Sequence, residues 1–246
     1  MKRKRRGKLG FIVAIGFVMI LSSGALAATI PPFTMMINDG VDTKVWNSEG
    51  IANKDGKYTY SGSLNDPNWT SSWKIDADPD PYVKGVFSVT NTLGVTNFYT
   101  VTFNLPIAPQ VTPLSLTGGS VVGGVTDNNG NGAKLQTVGA NPYYMSVIDG
   151  VDFVGLFNGP LSTNAGAFLS ASTGSASFGT PIPSLLGPPV NSTIGIRLQF
   201  GLSPGDSASF TSVFVVEPIP EPSTIIMGIT GVIGLVGFAA ARRRKR

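Results

Sequence analysis

Strand periodicity sets the first limit on what this chain can fold into. In Phe98–Leu105 the residues Tyr99, Val101, Phe103 and Leu105 are apolar, and Thr100, Thr102 and Asn104 between them are polar. Successive side chains of a strand point to opposite faces, so this order makes one dry face and one wet face. Ile194–Phe200 repeats the pattern, with Ile194, Ile196, Leu198 and Phe200 inward and Arg197 and Gln199 outward. Val83, Phe87 and Val89 share a face, as do Phe210, Phe214 and Val216, with Val213 and Val215 on the other side. Clusters of Gly, Asn, Asp and Pro separate these runs at Asn91–Gly94, Asp127–Gly132, Gly187–Asn191 and Ser203–Asp206. No long stretch of 28–220 carries helical period. The prediction is an all-β body, a single antiparallel β-sandwich, with jelly-roll and immunoglobulin-like topologies both open. Its expected core holds Tyr99, Val101, Phe103, Ile196, Leu198, Phe200 and Phe214.

Composition removes much chemistry. The chain of 246 residues has no His and no Cys. That excludes a Ser-His-Asp triad, a cysteine nucleophile, the usual zinc sites and any disulfide. Of its 18 basic residues, six lie in the first eight positions and five are Arg242–Arg246. The stretch 28–220 keeps seven basic against thirteen acidic residues, a net charge of −6. An acidic body without clustered Lys or Arg is no nucleic-acid surface, and no such partner is expected.

The two ends read as export signals. After the basic start, Leu9–Leu21 is an apolar run of 13 residues, and Ala25-Leu26-Ala27 supplies small residues at signal-peptidase spacing. Residues 1–27 are therefore expected to be a signal peptide, cut beside Ala25 and Ala27 by signal peptidase after entry into the Sec translocon. At the other end Thr224–Ala241 is 18 residues without a charge, followed at once by the basic tail Arg242–Arg246. That is the lower edge of membrane-spanning length. Basic flanks favour the cytoplasmic side, so both ends face inward and the body, 28–217, faces out.

Immediately before the apolar run stands Pro218-Ile219-Pro220-Glu221-Pro222-Ser223. Pro-Glu-Pro, an apolar span and an Arg-rich tail, in that order over 218–246, resemble the PEP-CTERM sorting signal of Gram-negative bacteria. Pro220, Glu221 and Pro222 carry the motif, and Ser223 fits its usual follower. The resemblance implies recognition by an exosortase, passage through an inner-membrane-anchored intermediate, and release to the cell surface or extracellular matrix. Asp78-Pro79-Asp80-Pro81-Tyr82-Val83 and Leu202-Ser203-Pro204-Gly205-Asp206-Ser207-Ala208 also look like passages of such proteins' bodies. They imply a β-rich domain and no particular activity. In the second passage Pro-Gly bends the chain and Asp206 is placed to close an Asx-type hydrogen bond.

Candidate chemistry is sparse. Asp127, Asn129 and Asn131 have the oxygen spacing of a calcium loop, but only one carboxylate is present and no Glu follows, so an Asn/Gly turn is the preferred reading. Asp76, Asp78 and Asp80 alternate beside Pro79 and Pro81 and read as a solvated acidic edge that blocks sheet pairing. Asp-Gly-Val-Asp occurs at Asp39–Asp42 and Asp149–Asp152, in turn-like settings that suit shared turn chemistry better than duplication. The same four aspartates are the candidates for a glycosidase carboxylate pair. Trp46, Trp69 and Trp73 suit core packing better than a sugar platform. Leu161–Gly179, rich in Ser, Ala, Gly and Thr, reads as a surface loop, with a flat strand pair as its alternative.

The function expected is a structural or adhesive surface or matrix protein, without catalysis and without a cofactor. The alternative is a carbohydrate-binding or calcium-assisted lectin-like module in the exopolysaccharide matrix. Exported protein should begin at or near Ala28, which intact-mass measurement of the exported chain checks; retention of Met1 would refute it.

Overall fold

A computed structural model describes residues 32–48, 50–53 and 57–219, together with Thr230. The expected signal peptide with Ala25 and Ala27, the expected sorting motif Pro220–Ser223 and nearly all of the apolar run and basic tail lie outside the described residues. The described elements from Phe33 to Pro218 are all strands. They are β1 Phe33–Asn38, β2 Thr43–Ser48, β3 Ile51–Ala52, β4 Tyr58–Asp66, β5 Trp69–Asp78, β6 Tyr82–Asn91, β7 Asn97–Pro106 and β8 Ser115–Thr126. After them come β9 Ala133–Gln136, β10 Tyr144–Ile148, β11 Val151–Leu156, β12 Ser162–Ala165, β13 Ser170–Phe178, β14 Leu185–Gly187, β15 Thr193–Leu202 and β16 Ser207–Pro218.

Two antiparallel sheets result. The first runs β11-β10-β15-β7-β1-β2, with β9 against the end of β15 and β12 against β9. The second runs β13-β8-β16-β6-β5-β4-β3, with β14 against β8. The four runs read from the sequence are the centres of β6, β7, β15 and β16. All seven expected core residues are buried, none more than 1% exposed. The inner faces of both sheets meet in one hydrophobic cluster. Rings cross between the sheets at Phe33–Tyr60 (4.7 Å between centroids), Phe87–Phe103 (5.9 Å) and Phe200–Phe210 (4.8 Å).

Three expectations are decided by pairing. Trp69 and Trp73 are core residues on the inner face of β5, and Trp46 packs edge-on against Trp73 at 4.9 Å, so the three do not form an open platform. The acidic-edge reading is wrong: β5 is paired on both sides, by β4 and β6, and Asp76 and Asp78 lie on its outward side. Asp80 sits in the following turn with Pro79 and Pro81, where its N–H bonds the Asp78 carboxylate at 3.1 Å and the Pro81 carbonyl accepts the Val216 N–H of β16 at 3.0 Å.

The loop reading of 161–179 is also wrong. Ser170–Phe178 pairs with β8 over its length, with one bulge between Ser172 and Gly174. Small residues hide its period, because Ala171 and Ala176 inward and Ser170, Ser172 and Ser177 outward differ little in hydropathy. β8 itself needs small residues: a Cβ on Gly123 would stand 2.7 Å from the Phe210 ring, and one on Gly119 would stand 2.6 Å from Phe178.

Register also fixes which loops share an end. Asn38 pairs with Thr100 and Thr100 with Gln199, whereas Ile148 pairs with Ile194 and Ile194 with Leu105. The turn 39–42 therefore lies at one end of the body, with loops 92–96, 127–132 and 203–206. The turn at Asp149-Gly150 lies at the opposite end. There the chain also enters at Phe33, beside the level of Asn104, and leaves at Pro218 opposite Ser115.

Phe103 faces both Phe33 and Phe87. Phe103→Ala should lower stability by about 3–5 kcal/mol, while its outward neighbour Thr102→Ala should stay within about 0.5 kcal/mol of wild type. Urea denaturation followed by tryptophan fluorescence distinguishes them.

Candidate functional site

The first concentration of buried polar groups is at the 127–132 end. Asp127 and Asp206 are 3% and 0% exposed, and Asn91 and Ser203 are buried beside them. Asp127 Oδ1 accepts the backbone N–H groups of Asn129 (3.3 Å) and Gly130 (3.2 Å), and Oδ2 accepts that of Phe168 (2.6 Å). Asn129 Oδ1 accepts the Asn131 N–H, and its amide donates to the Pro204 carbonyl at 2.8 Å. Asn131 is exposed. The oxygens of Asp127 and Asn129 thus close the loop upon itself and upon the 203–206 turn. Among the described residues no group of three or more carboxylates gathers as a metal site.

Asp206 accepts the Asn128 N–H and the Ser203 hydroxyl, so its carboxylate ties its turn to the 127–132 loop and to Ser203 rather than closing the Asx-type bond expected within its own turn. Its carboxyl is held above the ordinary aspartate value, mainly by burial, with the Asp127 charge adding to the shift against the Ser203 and Asn128 donors. Burial also pushes Asp127 upward, but the backbone donors of Phe168, Gly132, Asn129 and Gly130 outweigh it and leave that carboxyl below its ordinary value. The two carboxyls are thus driven apart in acidity.

The two Asp-Gly-Val-Asp segments are turns of different kinds. Asp39–Asp42 joins β1 to β2, and Asp39 accepts the Val41 and Asp42 N–H groups and, at 3.2 Å, the indole of Trp69. Asp149-Gly150 is a two-residue hairpin turn, with φ of 50° and 81°. Asp149 also accepts from the backbone of Asn191, Ser192 and Thr193 and from the Ser192 hydroxyl, which tie the 188–192 loop to the hairpin. Asp42 pairs with Lys44 at 2.7 Å and Asp152 with Arg197 at 2.8 Å. Since the two turns occupy opposite ends of the first sheet, their carboxylates form no facing pair across a cleft.

The second concentration is a surface that single runs of sequence do not reveal. Register aligns Asn65, Thr70, Thr90, Ser207, Thr126 and Ser170 in one row across six strands on the outer face of the second sheet. The adjacent row is Ser63, Ser72, Ser88, Ser209, Gly124 and Ser172. Neither row contains an ionisable side chain. Neighbouring hydroxyls pair at Thr90–Ser207 (2.7 Å), Thr126–Ser170 (2.8 Å) and Ser72–Ser88 (2.8 Å). Where Gly124 supplies no side chain, the surface sinks into an open trough of about 500 Å³, walled by Ser170, Ser172, Ser209 and Thr211 and floored by β8.

No protein-family model matches the chain, and comparison with curated proteins gives no match. Its functional reading rests on its own residues.

The aspartate pair gives opposite expectations for its two members. Asp127, held low, stabilises the fold above the ordinary aspartate value and loses this as pH falls through its own value. Asp206, held high, opposes the fold once ionised, and that penalty fades as pH falls through its raised value. Asp127→Asn should therefore lower Tm at pH 7, and Asp206→Asn should raise it, with the gain vanishing toward pH 3. Thermal unfolding at pH 7, 5 and 3 checks both signs.

Proposed function

We propose that this chain is an exported, exosortase-processed protein of the cell surface or extracellular matrix, with a structural or adhesive role and no catalysis. The observation that carries the reading is the order Pro220-Glu221-Pro222, apolar run, Arg242–Arg246, set directly behind the last strand. The body supports it in one respect. Chain entry at Phe33 and exit at Pro218 share one end, so a body held by its C-terminal segment would turn loops 39–42, 92–96, 127–132 and 203–206 away from the membrane. Proline lacks a backbone N–H and disfavours helix, so a Pro-Glu-Pro segment suits the extended form that a protease cleft accepts.

The body itself we read as one antiparallel β-sandwich of jelly-roll type. In its favour, β6, β8, β13 and β16 lie in the second sheet, and β7, β10, β11 and β15 in the first. The chain thus crosses repeatedly between sheets, and the orders β13-β8-β16-β6 and β11-β10-β15-β7 suit two interlocked Greek keys.

A second reading, a carbohydrate-binding module in the same matrix, is favoured by the hydroxyl rows and their trough. Its calcium-assisted form finds less support, because a cation would have to displace backbone donors from Asp127.

Replacing Pro220, Glu221 and Pro222 with alanines should leave membrane insertion intact and block release in a host that carries an exosortase. Fractionation of membrane and medium measures it. Release equal to wild type would show that the motif plays no part in processing.

A further inference from the structure

We propose that the trough on the outer face of the second sheet binds a single strand of uncharged polysaccharide, lying across the β-strands along the hydroxyl rows. The proposal rests on the matrix location argued above and adds the ligand class and the site.

Charge is the first argument. Strands β8 and β13 contain no ionisable residue, and β16 contains none before Glu217. An anionic polymer would find no cation in the trough, and a cationic segment would find no carboxylate. A protein partner would want a contiguous apolar patch, but the large apolar side chain exposed in the trough is Val122, at 39%. What remains is a surface of hydroxyls, each able to donate and accept.

Geometry is the second argument. Neighbouring strands are ~4.8 Å apart, close to the length of one pyranose unit, so a chain crossing the strands meets a fresh hydroxyl at nearly every sugar. Gly124 lets that chain approach the backbone of β8 at the point where its own row would otherwise project. Among the described residues the Ser209 and Thr211 hydroxyls have no hydrogen-bond partner, whereas Thr126 and Ser170 are already fixed by each other. The trough therefore combines free polar atoms with pre-ordered ones. Short side chains on a rigid sheet lose little entropy on binding. Each contact exchanges a surface water for a sugar hydroxyl and is individually weak. Affinity should accordingly grow with the length of the sugar chain.

The test uses the full chain in a polyoxyethylene detergent, which has no sugar headgroup to compete. Co-sedimentation with amorphous cellulose and with cross-linked dextran supplies neutral probes, and an alginate gel supplies an anionic one. Wild type should bind at least one neutral probe, with affinity unchanged by added salt. Ser172→Leu combined with Ser209→Leu, which fills the trough, should raise the apparent Kd at least tenfold, while Thr102→Leu on the first sheet should leave it unchanged. Thr211→Asp, a solvent-facing change, should cause a similar loss and keeps the test decisive if the leucine pair disturbs folding. The proposal is overturned if wild type binds neither neutral probe, if it binds alginate alone, or if a folded trough variant binds as wild type does. Because release by the sorting signal is read in a separate fractionation, absent binding with normal release would remove the trough and leave the export reading standing.

Discussion

The contact between Phe200 and Phe210, at 4.8 Å between ring centroids, is one of the aromatic contacts that hold the two sheets face to face. It joins the two sheets next to the turn through which the chain passes from β15 to β16, so one local crossing also seals the interior. Phe87 against Phe103 and Phe33 against Tyr60 extend the seal along the body. A chain without cysteine or histidine has neither disulfide nor zinc to substitute for these contacts. Burial of apolar surface, aliphatic and aromatic alike and worth about 25 cal/mol per Å², is the dominant force left to it.

The loops at the end away from Phe33 and Pro218 are held by a different force. Asp127, Asp206, Asn91 and Ser203 have given up water and recovered their hydrogen bonds from backbone groups of neighbouring turns. Asn91 alone donates to the carbonyls of Val95, Leu202 and Ser203. The Asn- and Gly-rich passage 127–132 is thus held by the hydrogen bonds of its own side chains. At the opposite end Asp149 does the same for the 188–192 loop.

Sequence made part of this legible. Alternation in β6, β7, β15 and β16 is strong because large apolar residues stand against Thr, Ser, Arg and Gln, and that contrast located both the strands and their buried faces. β13 escaped because Ala and Ser differ too little to mark a face. β5 was misjudged at Asp76–Asp80 because carboxylates on the outward side of a central strand look, in sequence, like those on an edge. The hydroxyl rows could not be read at all from single segments. Ser63 and Ser72 are neighbours through a hairpin, but Ser88 and Ser209 become neighbours only when β6 pairs with β16, more than a hundred residues along the chain. Their signal is present as Ser and Thr at successive outward positions, every second residue along the strand, and it acquires meaning only through register.

The placement of β16 has a mechanical consequence. It is the last strand of the body, yet it lies inside its sheet, bonded to β8 along its whole length and to β6 over most of it. A pull entering at Pro218 and leaving through the opposite end runs parallel to the strand. Its hydrogen bonds on both sides are then loaded together, in shear, instead of opening one after another like a zip. A body pulled through Pro218 in this way would resist with both ladders of β16 at once.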